Sequence, residues 1–269
     1  MRRTGERGLW TAAETCPNGR THRGDWYGVG REWETLLDWN EPVGDAPEPA
    51  WGQRSGFGWG VLGGKIYVMG GEMSSLKNDV WSSSDGTSWD LLHPTAVQRD
   101  GSAAWEPRTR FLHTVHEVGG VHYLYVFSGV GCGGYCNDVW RAPAPAPDSQ
   151  DLVFEKMGDT ATKRGRERGL ALSFSGRLYD IGGVNPAVFI DIHMSEDGGR
   201  TWQEVEIVEP ACTAENGVCS WTDDIVGAWP TSEYRIVGTG HLDAIYIFGG
   251  RSSSPGDGVS VLRLKSVKN

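Results

Sequence analysis

Four runs rich in aliphatic and aromatic residues each end on a glycine step: "KIYVMGG" at Gly71, "YLYVFSG" at Gly129, "RLYDIGG" at Gly183 and "AIYIFGG" at Gly250. The steps stand 58, 54 and 67 residues apart. Each run follows a turn signal, at Gly63-Gly64, Gly119-Gly120, Ser175-Gly176 and Leu242-Asp243, and each turn follows another β-like run. A third run comes after the glycine step: Asn78-Asp79-Val80-Trp81, its verbatim repeat Asn137-Asp138-Val139-Trp140, then "FIDIHM" and "VSVLRL". Three of the four units add a fourth run, "SWDLL", "LVFEKM" and "TWQEVEIV". Short β-forming runs joined by turn residues and repeated at this spacing predict a recurring four-stranded antiparallel sheet.

One such sheet cannot bury both of its faces, whereas copies wrapped around an axis can. The sequence therefore predicts an all-β protein, a β-propeller of about four to five four-stranded antiparallel blades. The repeats span approximately 54–92, 109–157, 168–208 and 234–265, within a single domain over 1–269. The 39 glycines and 13 tryptophans suit tight turns and aromatic packing between blades. Residues 1–40 read as a partial blade or closing strands. In "GDWYGVGREWETLL", Asp25-Trp26 and Trp33 occupy the places of Asp79 to Trp81 and Trp89. The last unit lacks a fourth run, so the Trp33 strand is expected to complete it or to form an incomplete extra blade.

A glycine pair after an aliphatic-aromatic strand, then an aromatic such as Trp81 and a tryptophan after a short turn such as Trp89, resembles the kelch repeat. The resemblance covers roughly residues 54–265. The units are longer than the ~50 residues usual for that repeat, and the second has serine in place of its first glycine. The resemblance implies a propeller with a central channel. The stretch Ser195-Glu196-Asp197-Gly198-Gly199-Arg200-Thr201-Trp202 matches Ser-x-Asp-x-Gly-x-Thr-Trp at all five defined positions. It resembles the Asp-box turns of sialidase-type propellers, which implies a structural turn. Asp85 and Trp89 form a shorter version. Asp85, Trp89, Asp197 and Trp202, with the repeated Trp81 and Trp140, are therefore assigned to structure.

Arg54, Arg110, Arg168 and Arg235 each precede the turn that ends a first strand by seven to nine residues. In a propeller the first strands line the channel, so these four are the expected ligand-binding set. Converging guanidiniums favour a carboxylate, phosphate or sulfate, though pairing with acids of a neighbouring blade is the alternative for each. Glu233, Tyr234 and Glu167 are the catalytic candidates, since sialidases combine a tyrosine nucleophile, an acid and an arginine cluster. A rigid scaffold with long loops reads as a binding module for a protein or glycan partner, acting through its loops and channel mouth. The alternative is a carbohydrate-active enzyme, either a sialidase-like hydrolase or a sugar-acid epimerase, using the arginines on an anionic sugar.

The formal net charge of −10 excludes a nucleic-acid partner and offers an anionic membrane no basic face. No apolar run reaches the ~20 residues of a membrane-spanning helix. No cofactor motif and no metal-ligand set is found. The N-terminus has no apolar core behind its positive charges and does not read as a signal peptide. Among five cysteines, Cys132 with Cys136 and Cys212 with Cys219 form close pairs in polar, glycine-bearing loops. Disulfides at both would place the protein outside the cell, and free thiols would place it in the cytoplasm.

Overall fold

The computed structural model describes residues 9–10, 26–27, 50–145, 152–160, 165–205, 211–212, 219–220, 225–226, 237–241, 244–248 and 261–265. The chain falls into two compact units, Met1–Gly52 and Gln53–Asn269. In the first, β1 (Leu9–Trp10) pairs antiparallel with β2 (Trp26–Tyr27). All that follows concerns the second.

Four four-stranded antiparallel sheets make up this unit, and the described residues contain no helix. Sheet I is β3 (Gly58–Leu62), β4 (Lys65–Glu72), β5 (Leu76–Ser83) and β6 (Asp90–His93). Sheet II is β7 (Leu112–Val118), β8 (Val121–Phe127), β9 (Asp138–Pro143) and β10 (Glu155–Asp159). Sheet III is β11 (Leu170–Phe174), β12 (Arg177–Asn185), β13 (Ala187–Ser195) and β14 (Gln203–Glu204). A two-stranded pair, β15 (Ala211–Cys212) and β16 (Cys219–Ser220), comes next. Sheet IV holds β17 (Ile225–Val226), β18 (Val237–His241), β19 (Ala244–Phe248) and β20 (Val261–Lys265) in the order β17-β20-β19-β18. Its fourth strand thus comes from upstream in the same unit rather than from the N-terminal segment. Trp33, expected to supply it, lies outside the described residues.

Alternation along each strand sends neighbouring side chains to opposite faces, which lets one sheet serve two interfaces. In β8, Leu124 and Val126 face sheet I and join Tyr67, Met69 and Val80. Tyr125 and Phe127, the intervening residues, face sheet III and join Ala171 and Leu178. Ile181 and Ile192 of sheet III in turn pack with Ile245 of sheet IV. Burying one such side chain in full contributes roughly 1.5–3 kcal/mol. Trp105, in the long connection from sheet I to sheet II, fills the first interface and is wholly buried. The first strands lie in succession, β3 beside β7, β7 beside β11 and β11 beside β18. No comparable contact joins β18 to β3 among the described residues, so the series is not closed.

The glycine steps stitch each sheet to the next. Gly71 N donates to Arg108 O (2.9 Å) and Gly129 N to Arg166 O (2.6 Å). These second-position glycines, with Gly183, take φ of 92°, 93° and 109°. A Cβ there would stand 2.9, 3.0 and 2.8 Å from the carbonyl oxygens of Ser55, Thr109 and Glu167, so no larger residue fits. The first position is more permissive. Ser128 holds it in sheet II at φ 61°, which explains how that repeat loses one glycine and keeps its shape.

Candidate functional site

One buried arginine stands just before each of the first three sheets and clasps it. Arg54 Nη1 and Nη2 donate to both carboxylate oxygens of Asp79 (2.7 and 3.0 Å), and Nη1 also donates to Gly70 O. Arg108 binds Asp138 in the same way (2.6 and 2.9 Å) and donates to Ser128 O. Arg166 binds Asp191 (2.7 and 3.0 Å) and donates to Gly182 O. The acid in each case is the one in the Asn-Asp-Val-Trp motif or its counterpart, and the carbonyl is that of the first glycine position. Trp81 and Trp140 donate their indole N–H to the same carboxylates, at 2.9 and 2.7 Å. The repeated tetrapeptide is thus the acceptor half of an internal clasp. Fork-on-carboxylate geometry of this kind is strong and directional.

Arg54 therefore belongs with Arg108 and Arg166, and the structure separates it from Arg110 and Arg168. Those two occupy the position that Gly56 holds in sheet I, two residues further on. Gly56, Arg110 and Arg168 share left-handed φ values of 60°, 54° and 60°. Arg110 N donates to Gly56 O (2.7 Å) and Arg168 N to Arg110 O (3.0 Å), so the three positions are tied in a row across sheets I to III. A left-handed arginine is uncommon. Here that conformation is fixed by the hydrogen-bonded row, and it lifts both side chains to the start of the first strands.

Those side chains stand over a hollow of about 390 Å³ lined by Ser55, Gly56, Phe57, Arg110, Phe111 and Arg168, with Gly169. The Arg110 side chain is 37 % exposed; its Nη1 donates to Glu167 Oε2 (3.0 Å) and its Nη2 lies 3.7 Å from Glu72 Oε2. Arg168 Nη1 is 3.7 Å from Glu167 Oε1. Glu167, itself buried, is thus bracketed by two guanidiniums. Of the expected residues, Arg110, Arg168 and Glu167 meet here, while Glu233, Tyr234 and Arg235 lie outside the described residues. Phe57, Phe111 and Glu72 were not foreseen. Glu72 follows the glycine pair directly and bridges to Ser55, a register that becomes apparent only once strands are paired.

Asp85 and Asp197 each organise a turn by accepting backbone amides. Asp85 Oδ1 accepts the amides of Thr87 and Ser88, both at 2.8 Å. Donation from Ser88, then Thr87, holds its carboxyl well below the usual range. Asp197 Oδ1 accepts the amides of Arg200 and Thr201, and its Oδ2 accepts the Thr201 hydroxyl (2.6 Å). Burial pushes this carboxyl up, but the Thr201, Ser195 and Arg200 donors outweigh it and bring it down to about 2. Trp89 closes its turn by donating to Gly86 O (3.1 Å), and Trp202 packs against Phe127 of sheet II. Replacing Asp197 by alanine is expected to lower the thermal midpoint by a few degrees, because turn amides lose their acceptor. Its depressed pKa means that its contribution is present above about pH 4 and lost as pH falls towards 2. Acid unfolding should therefore begin at the same pH in wild type and variant only if this turn is irrelevant to stability.

Cys132 and Cys136 form a disulfide, and Arg108 Nη2 lies 3.5 Å from Cys132 Sγ. The two sulfurs and Asp138 cluster closely, but bonded sulfurs cannot serve as thiolate ligands. Cys212 and Cys219 stand opposite each other in the register of β15 and β16. His113 and His116 both lie on β7, and burial holds each imidazole below its usual range, His113 at about 4. His116 Nδ1 is 2.8 Å from Ser173 Oγ. No helix among the described residues is long and apolar enough to cross a membrane. No model of a known protein family matches the chain, and no curated protein does either.

Proposed function

We propose that this protein is a kelch-like β-propeller module that holds a glycan at the mouth of its central channel. The four sheets are the blades in this reading, and the succession β3, β7, β11, β18 supports it. The observation that carries it is the hollow beneath Arg110 and Arg168, with Glu167 between them. Two guanidiniums balanced by carboxylates would weakly attract a simple anion but offer fixed donors and acceptors together. Neighbouring sugar hydroxyls, or a hydroxyl beside a sugar carboxylate, match that set. Phe57 and Phe111 add an apolar wall, and the volume falls in the ~300–1,000 Å³ range of small-ligand sites. By count along the chain, Arg235 precedes Val237 by two residues, as Arg110 precedes Leu112 and Arg168 precedes Leu170. The Cys132–Cys136 disulfide suits an extracellular module.

The hydrolase and epimerase alternatives need an acid with raised proton affinity at the mouth. Among the described residues the carboxyl so raised is Asp180, which lies between sheets II and III rather than at the hollow. Calorimetry with glucuronate, galacturonate and their neutral hexoses, on wild type and on Arg110→Ala/Arg168→Ala, tests the glycan reading. Loss of charged hydrogen bonds should weaken binding by about tenfold or more. Equal affinity of both proteins, or no binding by either across a glycan array, sinks it.

A further inference from the structure

Sheet III departs from its neighbours at one pair of facing residues. In sheet I Val68 opposes Trp81, and in sheet II Val126 opposes Trp140. At the same register of sheet III, Asp180 opposes His193. Opposed residues share a face of the sheet, and Leu178, two residues before Asp180, packs with Leu112, Phe127 and Val139. Asp180 therefore faces sheet II. It is wholly buried, and neither of its oxygens has a hydrogen-bond partner. Arg166 Nε, equally buried and also without a partner, lies 3.8 Å from Asp180 Oδ2. His193 Nδ1 stands 3.7 Å from Asp191 Oδ2, where the other two sheets have an indole hydrogen bond.

Charge counting shows what this exchange does. With Asp180 and Asp191 both ionised, Arg166 neutralises only one, and a net negative charge stays in an apolar seam, which is costly. One proton on Asp180 or His193 removes it. The other charged groups in reach are few. Asp191 comes from β13, and Glu204 of β14 stands opposite His193. Glu167 and Arg168 continue from Arg166 but engage Arg110 and each other at the hollow. From sheet II, Tyr125 and Arg141 lie at the Gly198 end of the seam.

We propose that Asp180 is a buried proton-binding site between sheets II and III, whose proton, bound beside the Arg166–Asp191 clasp, removes the uncompensated negative charge. Burial pushes the Asp180 carboxyl up to about 6 against the pull of Arg166, and burial holds the His193 imidazole below its usual range despite Asp191. Because Asp180 holds its proton more tightly folded than unfolded, its contribution is fully present below about pH 4 and is lost as pH rises through about 6. His193 acts in the opposite sense, contributing above its unfolded value near 6.5 and opposing folding as pH falls. The site makes this seam, which anchors the segment bearing Glu167 and Arg168, sensitive to mildly acidic pH.

The test is chemical unfolding of the whole chain, wild type and Asp180→Asn, from pH 4 to 7.5. Asparagine keeps the shape and cannot ionise. The ratio of folding constants, variant over wild type, should rise by about 100-fold across that range, the consequence of a shift from 3.8 to about 6. A ratio flat with pH overturns the proposal. If the variant does not fold, carbon-13 titration of the Asp180 carboxyl and His193 ring in the wild type decides. A carboxyl midpoint of pH 5 or above upholds the site, with the His193 ring titrating below a free imidazole, and a carboxyl midpoint below pH 5 overturns it.

Discussion

Arg108→Met is expected to cost about 3–5 kcal/mol of stability, the range found when one partner of a buried ion pair is removed. In a unit of this size that lowers the thermal midpoint by on the order of 10 °C. Arg108 is wholly buried, and its loss removes two bonds to Asp138 and those to the carbonyls of Ser128 and Glu106. Asp138, whose side chain is 16 % exposed, would keep the Trp140 N–H as its described hydrogen-bond donor. Burial pushes the Asp138 carboxyl up, and Arg108, helped by the Trp140 indole and the residue's own amide, more than offsets this, so it stays below its ordinary value. Without the arginine the largest part of that offset disappears. Arg108→Lys should lose most of the same energy, since an ammonium cannot span both oxygens and reach the carbonyl. The double variant Arg108→Met/Asp138→Leu is expected to regain much of the loss. Urea unfolding of the three variants settles the matter. A cost below ~1 kcal/mol for Arg108→Met would show that the clasp is ornamental to stability.

That clasp also shows where sequence reading works and where it stops. Gly71, Gly129 and Gly183 were readable because local geometry forces them: a left-handed turn against a carbonyl admits no side chain. The strand runs were readable because alternation and turn residues are local signals. The arginines were harder. Arg54, Arg108 and Arg166 precede their first strands by the same step, but Arg110 and Arg168 lie two residues away and offer an equally regular count. Choosing between the two sets requires knowing which residue is opposite Asp79, Asp138 or Asp191, a fact set by pairing 25 to 30 residues along the chain. Phe111 entered the hollow, and Glu72 came within reach of Arg110, for the same reason. Sheet IV took its outer strand from Ile225–Val226 because the first strand of a sheet need not be the first in the chain, and periodicity carries no information on that order.

Asp180→Val is expected to stabilise the protein at pH 7.5 by about 3 kcal/mol, which follows from the two-unit rise of its carboxyl at roughly 1.4 kcal/mol per unit. Valine occupies this register in sheets I and II, so the shape is one the repeat already accommodates. The gain should shrink at pH 4.5, where the wild-type carboxyl is protonated and its charge no longer opposes folding. Adding His193→Trp restores the partner found in the other two sheets and offers Asp191 an indole N–H like those of Trp81 and Trp140. A larger ring can also overpack, so the single variant is the cleaner measurement. The opposite outcome has a definite meaning. If Asp180→Val destabilises at pH 7.5, the carboxylate is a net attractive partner of Arg166, and its separation of 3.8 Å from Nε must close in solution. Comparing urea midpoints of wild type and Asp180→Val at the two pH values distinguishes the cases, because attraction to Arg166 predicts a loss that grows with pH and burial of an unpaired charge predicts a gain that does.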